Sequence, residues 1–373
     1  MSENKEPLNK NNKVPKLRLA KYYGQPIIET NISKIAEINP KCKTLPENFF
    51  YIDLESVKDD RIVNYNFIQR NNAPSRAQRL LIKNDILFSG VRPYQHNNAV
   101  FLFENGKYVA STGFIQIRYK FPFFLLGYFS NDRFSRAVNI RSTGSSYPAI
   151  NSYDLSRIKI FVPSEEEQSD ISKLIIVINK KINNLESKIS TLKKYKKGLI
   201  KFLSKESAQF IKIKDIVDIC DKTGLQSSNG KDIGKYVFFI NSTNDEFKRT
   251  DTYTFDGEHL VLNTGGQAFT SYINGKFSAM SDCLILKPKR NAMSLYVWLK
   301  SNEEKINAIG FQGTGLKHLD QSWLFRQNIT LSKFSEEILF NLMGATNILI
   351  EKQKIRLDIL CSVKQYLLSN LFI

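Results

Sequence analysis

Apolar residues recur between positions 171 and 199 in alternating steps of four and three: Ile171, Ile175, Ile178, Ile182, Leu185, Ile189, Leu192 and Leu199, with Lys196 in the one polar slot. That spacing is a heptad seam. Just before it, Pro163-Ser164-Glu165-Glu166-Glu167-Gln168 reads as a helix start, with a Ser cap, an acidic first turn and a Glu three residues after the cap. Lysines crowd the far end (Lys193, Lys194, Lys196, Lys197, Lys201), where the helix dipole favours positive charge. The pattern predicts a helix of about 38 residues, roughly 55 Å long. A second helix is predicted from the Ser332–Glu337 stretch onward, with Leu339, Met343, Ile350, Leu357, Leu360 and Leu367 on its seam and Thr346, Gln353 and Lys364 as polar exceptions. A lone surface helix has no use for such length, so each seam needs a partner. The simplest is the other helix, packed antiparallel, because tethering removes most of the association cost. The alternative is a helix of another molecule.

The segments before these helices have a different texture. Tyr51-Ile52-Asp53-Leu54, Asp85-Ile86-Leu87-Phe88 and Phe114-Ile115-Gln116-Ile117 are short β-prone runs, bounded by turn formers such as Asn71-Asn72, Ser89-Gly90 and Asn105-Gly106. A helical patch is expected from Phe124 to Val138, and residues 208–332 return to β-prone runs with Gly- and Asn-rich turns. No regular βαβ alternation is present. The halves also repeat in order. Ile32–Ile38 returns as Ile213–Ile219, Asn84–Ser89 as Gly257–Thr264 with small shifts, and Thr143-Gly144 as Thr314-Gly315, each displaced by roughly 170–180 positions. The expected fold is therefore α+β: two similar globular domains (1–163 and 208–332) separated by two long antiparallel coiled-coil helices (164–207 and 333–373), related by an internal pseudo-twofold.

Charge narrows the function. Lys plus Arg number 54 against 36 Asp plus Glu, a formal charge of +18, which favours a polyanionic partner, most commonly nucleic acid. A soluble basic protein from a lysine-rich organism is the bland alternative. Cys42, Cys220, Cys283 and Cys361 stand far apart, and His96, His259 and His318 do not cluster. Neither a structural zinc site nor a disulfide framework is expected. Met1–Lys13 is polar and lacks the apolar core of a signal peptide, and no run of about 18 apolar residues occurs. A cytoplasmic protein that meets no membrane is expected. The chain holds no GxGxxG, GxxxxGK[ST], HExxH or GxSxG pattern, no Asn-Pro-Pro-aromatic motif and no acidic nuclease cluster. It reads as a binder rather than a catalyst, with no cofactor or metal of its own.

Binding chemistry concentrates in loops. In the first half Arg70 and Arg79 flank Asn71–Gln78, which contains Arg76. Arg92, Tyr94, Gln95 and Asn97 lie between Gly90 and Asn98, and Arg141, Ser145 and Ser146 within Arg141–Tyr147. In the second half Lys222, Gln226 and Lys231 share one loop, Thr264 and Gln267 a second, and Gln312, Thr314 and Lys317 a third. Arginine can bond guanine through two donors, Asn and Gln suit adenine, and Ser or Thr suit phosphates. Any one of these residues is more often turn chemistry or surface charge; the signal is three such loops per half. Two similar heads held at the ends of an antiparallel helix pair suit a ligand with two separated reading sites, and one turn of B-DNA is about 34 Å.

With these residues in view, the chain resembles the specificity subunit of Type I restriction–modification enzymes. The matching stretches are Val14–Arg18, Tyr51–Leu54, Pro74–Ala77, Asp85–Ser89, Val91–Tyr94, Ser111–Phe114, Thr143–Asn151, Asp154-Leu155, the Pro163–Gln168 helix start and Lys193–Leu199. An expected Trp is replaced around Lys21-Tyr22-Tyr23, and the second helix has weaker heptads than the first. The resemblance implies two target-recognition domains, each reading one part of a split, asymmetric site on double-stranded DNA. It implies helices that set the half-site spacing and dock two methyltransferase subunits, which makes both seams candidate partner-docking surfaces. S-adenosylmethionine would sit in those partner subunits, a restriction subunit would join the full complex, and the setting would be a bacterial or archaeal cytoplasm. Two other readings are weighed against it: a coiled-coil scaffold whose heads bind proteins rather than DNA, and a recognition module cut from a fused enzyme, which two full-length repeats disfavour.

Overall fold

A computed structural model describes residues 14–42, 44–58, 60–104, 107–204, 210–242 and 247–373. The Met1–Lys13 stretch, the Asn105-Gly106 turn and the 207/208 boundary lie outside the described residues. The chain divides into two compact units, one running to Leu185 and taking back Arg356–Ile373, the other Glu186–Ile355. These bounds differ from the divisions at 163/164 and 332/333 expected from the texture of the sequence. Each unit completes its core with helix residues, so each long helix is divided between the two.

In the first unit, Glu37–Ile38, Phe114–Arg118, Ile86–Ser89 and Ala99–Val100 form one antiparallel sheet in that order. A second sheet runs Asn66–Gln69, Asn48–Ile52, Tyr108–Ser111, Ala77–Leu80, with Asn48–Ile52 and Tyr108–Ser111 parallel. Ile28–Asn31 pairs with Lys159–Val162, which feeds straight into the first long helix. The expected helical patch is present as two helices, Pro122–Phe129 and Asp132–Arg141. They break at Ser130-Asn131 because the Asn131 side chain accepts the Arg133 amide and starts a new helix.

The second unit follows the same plan. Val217–Ile219, Cys283–Pro288, Glu258–Asn263 and Thr270–Asn274 form the antiparallel sheet. Tyr236–Phe239 and Phe277–Ala279 supply the parallel pair, with Lys248–Thr250 at the edge. The Ile32–Ile38 repeat is one helical turn entering a strand, and Ile213–Ile219 is the same object. One repeat is in a different register from that expected. Thr143 pairs with Ala149 across a turn containing Gly144. Its counterpart pairs Gln312 with His318 across a turn containing Gly313, two residues earlier than Thr314-Gly315. Both glycines have positive φ, and a Cβ would meet the Tyr147 carbonyl oxygen at 3.0 Å or the Leu316 oxygen at 2.9 Å. The turn therefore selects the glycine, and the apparent Thr-Gly match is coincidental.

The long helices span Glu165–Leu203 and Glu336–Leu371. In the first unit Ile171 and Ile175 share a core with Leu368, Leu371 and Phe372. In the second, Ile200 and Leu203 share one with Leu339 and Met343. Within each unit the start of one helix meets the end of the other, which is antiparallel pairing inside one chain. Ile178, Ile182, Ile189 and Ile350 are buried, and Leu185, Leu192, Leu357 and Leu360 half-buried. Seam residues thus face inward.

The helix starts differ from expectation in one respect each. Ser164 accepts the Glu167 amide at 3.4 Å, but the Glu167 side chain does not fold back to close a capping box. Its carboxylate takes Arg18 Nε at 2.9 and 3.2 Å and Nη2 at 2.7 Å, with both side chains 3% exposed. Beside it, buried Tyr22 donates to Asp170 at 2.8 Å. The second helix is capped by Ser335, whose Oγ accepts the Ile338 amide, while Ser332 donates to the Leu203 carbonyl that ends the first helix.

A bidentate pair this deeply buried is costly to break from one side and cheap to replace from both. Glu167→Ala should lower unfolding stability by about 3–5 kcal/mol, whereas the double variant Arg18→Met/Glu167→Leu should recover most of the loss. Urea denaturation of the three proteins checks this.

Candidate nucleic-acid interface

Two of the expected loops of the first unit are joined by backbone hydrogen bonds to a single turn, Thr112-Gly113, between strands Tyr108–Ser111 and Phe114–Arg118, and the third is tied to the second loop. Thr112 N donates to Arg76 O at 2.8 Å, and Gly90 N donates to Gly113 O at 2.9 Å. Ile150 N donates to Gly90 O, and Arg92 N to Pro148 O at 2.7 Å. A Cβ on Gly90 would crowd the Gly113 and Ile150 carbonyls, so the close approach itself requires glycine.

On this frame Arg76, Tyr94, Gln95, Ser145 and Ser146 are exposed and Arg92 and Asn97 half-buried. The Asn97 amide donates to Gln95 at 3.4 Å. Arg92 has left-handed backbone, φ 49°, and its guanidinium lies 4.2 Å from the Tyr147 ring centroid. Arg79 sits in strand Ala77–Leu80 rather than in a loop; its Nε is buried without a hydrogen-bond partner, and burial pulls its pKa below the usual arginine value. Arg70 and Arg141 are exposed but donate to the nearby carbonyls of Leu45 and Ala137. Their charge is presented; part of their donor set is engaged.

The second unit repeats the stitching at the Ser281-Asp282 turn. Ser281 N donates to Leu225 O at 2.9 Å, Thr264 N to Asp282 O at 3.2 Å, Leu319 N to Thr264 O and Gly266 N to Lys317 O, both at 2.8 Å. The three expected loops are again brought together, although the segment at Leu225 precedes the parallel pair in the chain whereas that at Arg76 lies inside it. Gln267, Gln312, Thr314 and Lys317 are exposed, and so are Lys222, Gln226 and Lys231. Asn229 accepts the Gln226 amide, closing that loop, and Lys231 pairs with Asp251 at 3.1 Å. The Thr264 hydroxyl is spent on Asp282 O at 2.7 Å, which makes it part of the frame.

Periodicity missed a second basic surface in this unit. A cleft of about 730 Å³ is lined by Lys193, Lys197, Lys201 and Lys300, together with Gln267. Lys197 pairs with Glu304 at 3.0 Å, holding that carboxyl below its usual range, and Lys300 lies 3.7 Å from the Phe269 centroid. The sequence signal was the lysine run at the helix end, there accounted for by the dipole alone. The second long helix also keeps exposed apolar residues: Ile338, Leu342, Ile348 and Leu349 in this unit, and Ile359, Val363 and Tyr366 in the first. These were missed because the seam drew the eye to one stripe of the helix.

Among the described residues no group of three or more His, Cys, Asp or Glu side chains is placed to hold a metal ion, and no helix is long and apolar enough to cross a membrane. Twice-repeated α+β units presenting stitched, basic, polar loops define a class of modular recognition protein. The family model described as Type I restriction modification DNA specificity domain matches residues 7–194 and 205–365, and the chain belongs to that family. It is 39% identical over 87 residues to a putative type I specificity subunit of Mycoplasma pneumoniae, covering 22% of this chain and 24% of the relative. It is 26% identical over 161 residues to the putative type I restriction enzyme MjaX specificity subunit of Methanocaldococcus jannaschii, covering 40% and 37%. The matched stretches thus span between a quarter and two fifths of these curated relatives. In fold it is similar to the crystallised Type I restriction-modification S subunit of M. genitalium, with TM-score 0.65, 15% identity and coverage of 97% of this chain and 99% of that one. It is also similar to a chain from a study of complex assembly and conformational transition of the type I R-M system, with TM-score 0.55, 18% identity and coverage of 93% and 98%.

Cys283, next to the Ser281-Asp282 turn, is 5% exposed, and burial pushes its thiol up to about 12. It should stay protonated and unalkylated at pH 8 in the native protein, while exposed Cys42 and Cys361 react. The unfolded thiol ionises near 8.5, so its contribution to stability is complete below that pH and is lost as pH rises toward 12. Peptide mapping after iodoacetamide treatment, native against urea-unfolded, reads the first; denaturation midpoints at pH 8 and 10 in wild type and Cys283→Ala read the second.

Proposed function

We propose that this chain is the sequence-reading, non-catalytic subunit of a Type I restriction–modification assembly, each unit reading one half of a bipartite, asymmetric site on double-stranded DNA. The observation that carries the reading is the paired stitching: in each unit two polar loops are fixed to one turn and a third is tied to the second of them, which presents side chains of mixed donor and acceptor character at low conformational cost. The +18 charge supplies the non-specific attraction to phosphate. The loop residues differ between units, Arg92 against Gly266 and Tyr147 against Leu316, which suits two different half-sites. Family membership and the similarity in fold to known S subunits support the same reading.

The partners follow from the same reading. The exposed apolar residues of the second long helix suit methyltransferase subunits, two in the full assembly, which would bring S-adenosylmethionine and the transfer chemistry. A restriction subunit would complete the endonuclease form, in a bacterial or archaeal cytoplasm.

Selection of bound duplexes from a random library by the chain with its methyltransferase partner should return one bipartite sequence. Affinity should fall with salt at a slope of about −0.9 per phosphate contacted. A library returned without any preference overturns the reading. A charge reversal at Arg76 or Lys317 should weaken duplex binding at least tenfold, on the order of one lost contact, and leave partner assembly intact. Leu349→Asp and Ile359→Asp should do the opposite, abolishing co-elution with the methyltransferase while the chain keeps its circular dichroism spectrum.

A further inference from the structure

The internal repeat provides a control within one chain. Gly90, Val91 and Arg92 in the first unit occupy the hydrogen-bonding positions of Thr264, Gly265 and Gly266 in the second. Gly90 O and Thr264 O accept from Ile150 N and Leu319 N, and Arg92 N and Gly266 N donate to Pro148 O and Lys317 O. Val91 and Gly265 form the matching bridges to Ala149 and His318. The third residue of this turn is left-handed in both units, φ 49° at Arg92 and φ 77° at Gly266. The second unit fills that position with the residue the backbone favours. The first fills it with arginine, whose Cβ disfavours that conformation. Strain of this kind persists where the side chain has a task.

The surroundings of Arg92 indicate the task. Its guanidinium lies 4.2 Å from the Tyr147 ring centroid, and its Nε is buried with no hydrogen-bond partner. With Nε covered, the two terminal nitrogens are the donors left to project from the frame. Tyr147 is exposed and stands at the repeat position of Leu316. The second unit thus lacks the arginine and the ring together. An arginine whose guanidinium is held over an aromatic ring keeps its fork of terminal N–H donors, the donor pattern that guanine O6 and N7 accept.

We infer that Arg92 is the guanine-reading residue of the first unit, with Tyr147 as the positioning residue that orients its guanidinium, and that the second unit has no arginine reader at this turn. The inference rests on the DNA-reading function proposed above and assigns one base position within it. Arg76 presents charge without such a stack, and Arg141 donates to its own helix, so neither shares this geometry.

The test is library selection followed by competition with single-base-pair variants of the selected duplex. The proteins are the full chain with its methyltransferase partner, as wild type, Arg92→Gly, Arg92→Lys, Tyr147→Leu and Tyr147→Phe. Arg92→Gly copies the second unit and removes the left-handed strain, so its melting temperature should equal or exceed that of wild type. In wild type, replacing one G·C pair in one half-site should weaken binding on the order of 10- to 100-fold. In Arg92→Gly that replacement should cost nothing, while discrimination at every other position stays. Arg92→Lys should lose the same discrimination but keep the salt slope, because a point charge lacks the fork. Tyr147→Phe should retain the preference and Tyr147→Leu should relax it at that pair alone. A uniform loss of affinity over all sequences in Arg92→Gly would make Arg92 a phosphate contact, and an unchanged preference would leave it without a reading role; either overturns the inference while the bipartite reading stands. A wild type that selects no sequence overturns the reading itself and the inference with it.

Discussion

A helix of 39 residues with an apolar stripe along its length cannot expose that stripe to water without losing the burial energy of each apolar seam residue, about 1.5–3 kcal/mol for a fully buried isoleucine or leucine. This one constraint organises the molecule. The first long helix carries its stripe into both units, and the second helix covers it there, its end in the first unit and its start in the second. The sheets then pack on the covered pair, which is why the unit boundaries fall at Leu185 and Arg356 inside the helices rather than at their ends. Polar groups close to the helix ends are absorbed into the same contacts. Glu167 serves Arg18, and Glu336 accepts the Met293 and Ser294 amides that open the Ala292–Ser301 helix.

The loops depend on this frame without being dictated by it. Each unit uses one turn between consecutive strands, Thr112-Gly113 or Ser281-Asp282, as the anchor for neighbouring segments. The backbone bonds are conserved in pattern between the units while the side chains they carry diverge. Affinity for a polyanion needs only positive charge, which many positions can supply. Discrimination needs donors fixed in direction, which a stitched backbone supplies to whichever side chain occupies it. The exposed apolar residues of the second helix lie outside that frame, whereas the lysine-lined cleft borders it at Gln267.

Much of this was legible beforehand. The first seam, the acidic helix start, the helical turn at Ile32 and its copy at Ile213 were all local patterns, and local patterns are what periodicity and capping rules read. The same rules misplaced Gly144 against Gly315, because two Thr-Gly pairs look alike in a string while only one glycine of each turn sits where a Cβ would strike a carbonyl. Glu167 read as a capping-box residue for the same reason: its spacing from Ser164 is local, and its true partner Arg18 lies 149 positions away. The three loops per half were recognised by composition, but nothing in the string showed that two of them are anchored on Thr112-Gly113 or Ser281-Asp282 and the third on its neighbouring loop.

Two similar halves, the course of the long helices, their apolar face and the strongly basic character can all be read along the chain. Each of these depends on residues within a few turns of one another or on a sum over the chain. Tertiary structure alone decided which seam residues meet, where one unit stops and the next begins, which arginines keep free donors and which loop glycines are required. These depend on contacts between residues far apart in the chain, and such contacts are set by three-dimensional packing that no window along the sequence contains.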